Sequence, residues 1–345
     1  MKKEKAKVLL IYTGGTVGMV QDEKTGVLKP FSLESIIDYI PELSRFNFRI
    51  DGYTFEPPID SSNMKPEIWL QLADIIGKNY PKYDGFVVLH GSDTMAYTAS
   101  ALSFLLENLG KPVILTGSQL PVNVLRSDAQ ENIIVSIEIA AAKEKGKSRI
   151  PEVCVYFENH LYRGNRTYKH NAENFDAFNS SNYPELATAG VHIKYNDNVI
   201  AKASAKKLVV HQSLDTNIAI VKLFPGINPA VLESIFNTKG LKAVVLETYG
   251  TGNAPLDKAF LKCLEKAAKK GIILLNVTQC RAGAVQQGRY ETSTELKKIG
   301  IISGADMTTE TAIAKLMFLL GEKYPVATIK KLLQQSLRGE VTQTK

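Results

Sequence analysis

Apolar runs of strand length alternate with helix-length amphipathic stretches along most of the chain. AKVLLIYT (6–13) is stopped by Gly14 and Gly15, PEIWLQLADIIGKNY (66–80) spaces its apolar residues at helical intervals, and GFVVLHG (85–91) is a short apolar run ending in glycine. TMAYTASALSFLLENLG (94–110) predicts a helix with Gly110 as its C-terminal cap and Pro112 just beyond. A strand at PVILTG, a helix at SDAQENIIVSIEIAAAK and a strand at EVCVYFEN follow. Strands that are apolar at every position are covered on both faces, so the pattern predicts an α/β fold with mostly parallel sheets.

From about 192 to 214 the alternation dissolves into HIKYNDNVIAKASAKKLVVHQSLD, polar with short β-like pieces, which reads as a connection. It resumes with a strand at NIAIVKLFPG, a helix at PAVLESIFN, a strand at KAVVLETYG, a helix at PLDKAFLKCLEKAAKKG and a strand at IILLNVTQC. Two helices, TETAIAKLMFLLG and VATIKKLLQQSL, follow. The expectation is a larger N-terminal α/β domain (1–191), a linker (192–214) and a smaller C-terminal α/β domain (215–345). A length of 345 residues fits two cores better than one.

The net charge of +7 and a pI near 9.0 raise the question of an anionic partner. The excess is unevenly placed. Residues 1–195 carry 21 Lys and Arg against 23 Asp and Glu, and residues 196–345 carry 21 against 12. With no RGG tract, aromatic RNA motif or basic recognition helix, the excess reads as a solvated surface and no nucleic-acid partner is expected. Three widely spaced cysteines (154, 263, 280) form no CxxC, and five histidines form no HxxxH, so neither a disulfide framework nor a metal site is expected. The N-terminal apolar run is about five residues, shorter than a secretory h-region, and no run reaches the length of a membrane span, so a cytoplasmic protein is expected.

In open α/β sheets ligands sit beyond the carboxyl ends of the strands, and four loops there are unusual. Thr13-Gly14-Gly15-Thr16 follows the first strand and offers two glycines for a sharp turn with two hydroxyls, either as capping groups or as chemistry. It has neither the GxGxxG nor the GxxxxGK spacing, so no nucleotide cofactor is indicated. His90-Gly91-Ser92-Asp93-Thr94-Met95 is a second hydroxyl-rich strand end. Ser92 or Asp93 could cap the next helix, and His90 reads as a packed, hydrogen-bonded histidine rather than a base. Asp60-Ser61-Ser62-Asn63-Met64 reads as an ordinary helix start before Pro66-Glu67. Arg163-Gly164-Asn165-Arg166-Thr167-Tyr168-Lys169 is a basic cluster, usually a solvated feature, from which a lysine could pair with Asp93.

Together these loops resemble the asparaginase and glutaminase family, specifically its cytosolic type I L-asparaginases. The resemblance runs from TGGTVGM through HGSDTMAYTASALSF, LTGSQLP, RSDAQEN, LYRGNRTYK, NFDAF, YGTGNAP and SGADMT to LRGE. It implies Thr16 as the nucleophile, with Ser92, Asp93 and Lys169 as the hydroxyl, acid and lysine of a second triad. It places Ser61, with Asp60 and Ser62 alongside, at the substrate's α-carboxylate, Asp93 at its α-ammonium and Ser118 along the side-chain amide pocket. Asn253 matches a residue contributed by a neighbouring subunit, which implies a dimer of intimate dimers. The implied reaction is hydrolysis of L-asparagine to L-aspartate and ammonia, without metal or cofactor.

Three departures from the family pattern matter. Ser92 stands where relatives usually carry threonine, which keeps the hydroxyl and loses the methyl that fixes its rotamer. The lid after TGGT lacks the tyrosine of many relatives; Val27 stands near that position, and Tyr290 of QQGRYETS is the candidate for the missing phenol. Glu247 replaces a basic residue, and Tyr168 a smaller one, near a regulatory asparagine site of some bacterial relatives, so weak or absent activation by substrate is expected. The alternatives are an ammonia-donating subunit of a tRNA-dependent amidotransferase, which would carry a further domain before TGGT, and an amidohydrolase leaning toward glutamine.

Overall fold

The structure, a computed structural model, describes residues 5–21, 28–30, 32–288 and 291–342. The chain splits into two compact units, Met1–Gln212 and Ser213–Lys345.

The first unit is built on an eight-stranded sheet. Its strands are β1 (Lys7–Tyr12), β2 (Arg49–Thr54), β3 (Gly85–Leu89), β4 (Val113–Thr116), β5 (Val153–Phe157), β6 (His160–Arg163), β7 (Ala187–Thr188) and β8 (Lys194–Tyr195). They lie in the order β8-β7-β6-β5-β4-β3-β1-β2. β2, β1, β3, β4 and β5 run parallel, while β6, β7 and β8 are added antiparallel. Every residue of β3, β4 and β5 is buried, as expected of parallel strands covered on both faces. The helices are α1 (Leu33–Asp38), α2 (Pro66–Asn79), α3 (Met95–Leu105) and α4 (Ala129–Ala141). β1 has β2 on one side and β3 on the other, so the strand order reverses there. The loops leaving β1 and β3 therefore flank a topological switch point, where open sheets of this kind bind ligands.

The structure departs from the sequence pattern at three places. α3 ends at Leu105, five residues before the expected cap at Gly110, because Leu106–Glu107 leaves the helix to pair antiparallel with Val209–Val210. His211 Nε2 lies 3.1 Å from the Glu107 carboxylate beside this ladder, Asn108 turns the chain with φ 63°, and Gly110 N–H donates to the Tyr80 hydroxyl at 2.6 Å. β2 is an edge strand whose residues are exposed or only half-buried except for its contacts with β1, so it lacks the continuous apolar signature. Within 192–214 the chain forms β8, which joins the large sheet, and the pairing strand Val209–Val210; the first compact unit extends to Gln212.

The second unit has four parallel strands in sequential order, β9 (Ile218–Lys222), β10 (Ala243–Thr248), β11 (Ile273–Thr278) and β12 (Ile302–Ser303). Its helices are α5 (Pro229–Phe236), α6 (Lys258–Lys269), α7 (Glu291–Ile299), α8 (Thr309–Gly321) and α9 (Val326–Leu333). α7, polar and short, was not indicated by the apolar pattern. α6 buries Phe260, Cys263, Leu264 and Ala267 on one stripe. α8 is buried almost all round, and Lys315 within it is fully buried. Its ammonium meets Glu340 Oε1 at 2.6 Å and the carbonyl oxygens of Gln335 and Leu333 at 2.6 and 3.2 Å. Glu340 also accepts the backbone N–H groups of Leu337 and Arg338. Burial pushes the Lys315 ammonium below its ordinary range. Burial also works against the Glu340 charge, but Lys315 and the backbone donors outweigh it and hold that carboxyl below its ordinary range. Among the described residues, no helix is long and apolar enough to cross a membrane.

Breaking a buried pair leaves an uncompensated charge, which costs about 3–5 kcal/mol. Glu340→Gln is therefore expected to lower the thermal midpoint of the second unit clearly, and adding Lys315→Met should recover part of the loss. Equal midpoints for the wild-type chain and Glu340→Gln in a calorimetric scan would contradict this account.

Candidate functional site

The turn after β1 is shaped by its neighbours. Thr13 donates both its backbone N–H and its hydroxyl to the Leu89 carbonyl, at 3.0 and 2.9 Å, and its carbonyl accepts the Ile59 N–H at 2.7 Å. Its hydroxyl thus ties β1 to β3. Gly14 and Gly15 follow with φ of 132° and 94°, outside the range comfortable for a side chain. A Cβ on Gly15 would lie 2.4 Å from Gly91 N, one on Gly14 2.2 Å from Ile59 O, and one on Gly91 2.5 Å from Ser61 Oγ. The loop at 13–16 therefore meets those at 59–62 and 90–94 backbone to backbone, and the Ser61 side chain fills the space beside Gly91. Thr16 opens the short 3-10 turn Thr16–Gly18, half-buried, and among the described residues no hydrogen bond engages its hydroxyl. Tyr12 steadies that turn by donating its phenol to the Gly18 carbonyl at 3.1 Å, and burial pushes its pKa to about 12.

The loop after β3 rests on a buried chain of side chains. Trp69 of α2 donates its indole N–H to Thr98 Oγ1 at 2.9 Å, and Thr98 of α3 lies 2.9 Å from His90 Nε2. His90 Nδ1 lies 2.6 Å from the Gly91 carbonyl. That carbonyl can only accept, which assigns the proton to Nδ1 and leaves Nε2 to accept from Thr98. His90 is fully buried, and burial pushes its pKa down to about 4. It is a neutral packing histidine.

Neither Ser92 nor Asp93 caps α3. They lie in the 3-10 turn Ser92–Thr94, and α3 starts without a side-chain cap. Their side chains meet Lys169 instead, whose ammonium donates to Ser92 Oγ at 2.8 Å and to Asp93 Oδ1 at 2.7 Å. The Lys169 side chain is 17% exposed and that of Asp93 64%. Lys169 is held by the pairing of Tyr168–Lys169 with Phe178–Asn179. The basic run before it is not a solvated surface. Arg163, Asn165 and Arg166 are buried, Arg163 Nε donates to Glu152 Oε2 at 2.5 Å, and its guanidinium stacks 4.3 Å from the Tyr183 ring centre.

Asp60 does not start α2, which begins at Pro66 after Lys65. It caps the short turn Ser61–Asn63, accepting from Ser62 N–H and Ser62 Oγ, both at 2.9 Å. Ser61 is buried against Gly91, and Thr94 Oγ1 donates to its carbonyl at 2.7 Å. Ser118, buried just beyond β4, donates its hydroxyl to the Leu120 carbonyl at 2.5 Å. Asn253 belongs to the second unit, in a turn closed by Tyr249 N–H to Asn253 O and Asn253 N–H to Tyr249 O at 2.9 and 2.8 Å. Tyr290 and Val27 lie outside the described residues. Glu247 accepts the Thr309 hydroxyl at 2.6 Å. Among the described residues, no three His, Cys, Asp or Glu side chains are grouped to hold a metal.

The structure thus brings Ser92, Asp93 and Lys169 into direct contact and seats the Thr16 and Ser61 turns against the same Gly91. It also shows partners that the motifs did not single out. Thr94 ties two loops, Thr98 and Trp69 hold His90, and Gln119 and Asp128 lie beyond β4. Gln119 is part of LTGSQLP, but nothing in that string says which neighbour its amide meets.

The N-terminal asparaginase family model matches residues 7–201, and the glutaminase/asparaginase C-terminal domain model matches 217–333. L-asparaginase 1 of Escherichia coli strain K12 is 45% identical over 98% of this chain and 99% of its own. The 60 kDa lysophospholipase of Mus musculus is 42% identical over 97% of this chain and 62% of its own. Among solved structures, L-asparaginase I from Vibrio cholerae superposes with a TM-score of 0.89 at 41% identity, covering 98% of this chain and all of the other.

The neutral state of His90 has a pH signature. Its pKa in the folded chain is depressed from 6.5 to about 4. Its contribution is therefore whole above pH 6.5 and is lost as the pH falls from there through 4. A shift of that size corresponds to about 3 kcal/mol at most. Denaturant unfolding at pH 7 and pH 4.5 should show a smaller acid loss in His90→Gln than in the wild-type chain; parallel losses would contradict the assignment.

Proposed function

The chain belongs to the asparaginase family, and from that premise we propose that it hydrolyses L-asparagine to L-aspartate and ammonia through an acyl-enzyme on Thr16. The observation that carries the reading is the Lys169 ammonium bridging Ser92 and Asp93, next to a Gly15–Gly91 contact that leaves no room for a side chain. Capping does not account for a half-buried lysine reaching a serine and an aspartate that cap nothing.

An amide carbonyl is a poor electrophile, so its hydrolysis gains from a covalent step and from donors aimed at the developing oxyanion. In the proposed sequence the Thr16 hydroxyl adds to the side-chain amide carbon, its proton passes to the leaving nitrogen, and the C–N bond breaks to release ammonia. Water then adds to the resulting ester, and cleavage of the C–O bond returns the threonine and yields aspartate. Lys169, with Asp93 beside it, is the proton relay, and Ser92 holds the water of the second step. Ser61, with Asp60 and Ser62 alongside, receives the α-carboxylate, Asp93 receives the α-ammonium, and Ser118 lines the amide pocket. Tyr290 is the candidate phenol for proton transfer at Thr16.

The proposal extends to assembly and location. Asn253 reaches the substrate of a neighbouring subunit in a dimer of intimate dimers, and the enzyme works in the cytoplasm. The substrate is the free amino acid.

Thr16→Ala should lower ammonia release from free asparagine about 1,000-fold or more while leaving the thermal midpoint in place. Substantial residual turnover would overturn the nucleophile assignment. The same assay on the purified chain, run with glutamine in parallel, separates this reading from its neighbours. Failure to act on either free amide would favour an amidotransferase subunit, and faster release from glutamine would favour a glutaminase.

A further inference from the structure

Gln119 touches the triad through Ser92, and its orientation is settled by its other contacts. Its backbone N–H donates to both oxygens of the Asp128 carboxylate, at 3.1 and 3.0 Å. Asp128 also accepts the Leu120 N–H at 3.1 Å and an Nδ2–H of Asn132 at 3.2 Å, so the start of this turn is anchored. The side-chain Nε2 of Gln119 donates to the Asn174 carbonyl at 3.0 Å. A backbone carbonyl has no proton to give, so the amide nitrogen must face Asn174 and Oε1 must face the other way. Oε1 then lies 3.3 Å from Ser92 Oγ.

The direction of the Ser92 proton follows. Lys169 Nζ, 2.8 Å from Ser92 Oγ, is a donor with no acceptor capacity when charged. Oε1 of Gln119 is an acceptor only. While Lys169 is charged, before it takes part in the relay, the serine therefore gives its single proton to Gln119 and offers a lone pair to Lys169. Asn174 lies in the loop between the strands Tyr168–Lys169 and Phe178–Asn179, where Asn171 Oδ1 accepts the Glu173 and Asn174 N–H groups at 2.9 and 3.0 Å. One amide thus joins the loop that follows Lys169 to the hydroxyl that Lys169 binds.

We propose that Gln119 is a positioning residue that holds the Ser92 side chain in one rotamer and aims its proton away from Lys169, the task that a threonine methyl performs through sterics. Serine has three open χ1 wells, whereas β-branching restricts threonine. This inference rests on the proposed hydrolase reading of Ser92 and Lys169, and it adds the residue that makes a serine sufficient there.

The test is a double-mutant cycle on kcat and KM for asparagine, using the full chain, Gln119→Met, Ser92→Thr and the combined variant. Gln119→Met removes both side-chain hydrogen bonds at similar volume and should lower kcat about 3- to 10-fold while moving KM by less than about twofold. In the Ser92→Thr background the same change should cost less than about twofold. Equal losses in the two backgrounds would overturn the proposal, as would a loss confined to KM. An inactive Ser92→Thr chain would also overturn it, since threonine then could not stand in for the Gln119 bond. Thr16→Ala in the same series keeps the readings apart. Turnover surviving Thr16→Ala contradicts the acyl-enzyme itself, whereas additive losses with Thr16→Ala inert contradict only the role of Gln119.

Discussion

The contact between Gly15 and Gly91 is the constraint on which the site depends. Two backbones from neighbouring parallel strands meet at a distance that even one methyl group would prevent. At a topological switch point such strand exits normally open into a crevice. Here the crevice floor is closed by main chain, and the side chains that rise from it stand on a surface with little freedom to shift. Thr13 adds two bonds to Leu89, and Ile59 adds a third strut from the next loop. The two glycines of the first turn are therefore required twice, once for their dihedral angles and once for the space they vacate.

Around this floor, buried polar groups fall into two kinds. Trp69, Thr98 and His90 form a closed chain in which each donor has an acceptor, and burial makes the imidazole neutral; such a chain holds shape and stays chemically silent. Ser92, Asp93 and Lys169 differ in that the lysine stem is covered while the aspartate faces water. The closed chain lies directly beneath the open one, since Gly91, whose carbonyl His90 holds, precedes Ser92.

What the sequence disclosed and what it hid divide along the same physical line. β1, β3, β4 and β5 were visible because strands buried on both faces need apolar residues at every position. β2 was invisible because an edge strand, RIDGYT, has no such need. The residues after Leu105 suit a helix as far as Gly110, and only the distant Val209–Val210 ladder draws Leu106 and Glu107 out of it. The glycine-and-hydroxyl loops were legible as motifs. Gln119 as a partner of Ser92 was not, because its meaning lies in Asn174, 55 residues further on, and in a proton direction that no string of letters carries. The basic run at 163–169 misled for a related reason: its arginines are buried by Glu152 and Tyr183, neither of which adjoins them in the chain.

The Lys315–Glu340 pair also sets an order of events during synthesis. The described strands and helices of the first unit all lie before Ser213 in the chain. The second unit is different, because a cation in the middle of its most buried helix finds its carboxylate only when residue 340 has been joined. Until then α8 has a charged side chain and no partner for it, so its packing against the sheet is opposed by the lysine's hydration. The second core is thus sealed only after the segment carrying Glu340 has been made, since that carboxylate is what offsets the buried charge.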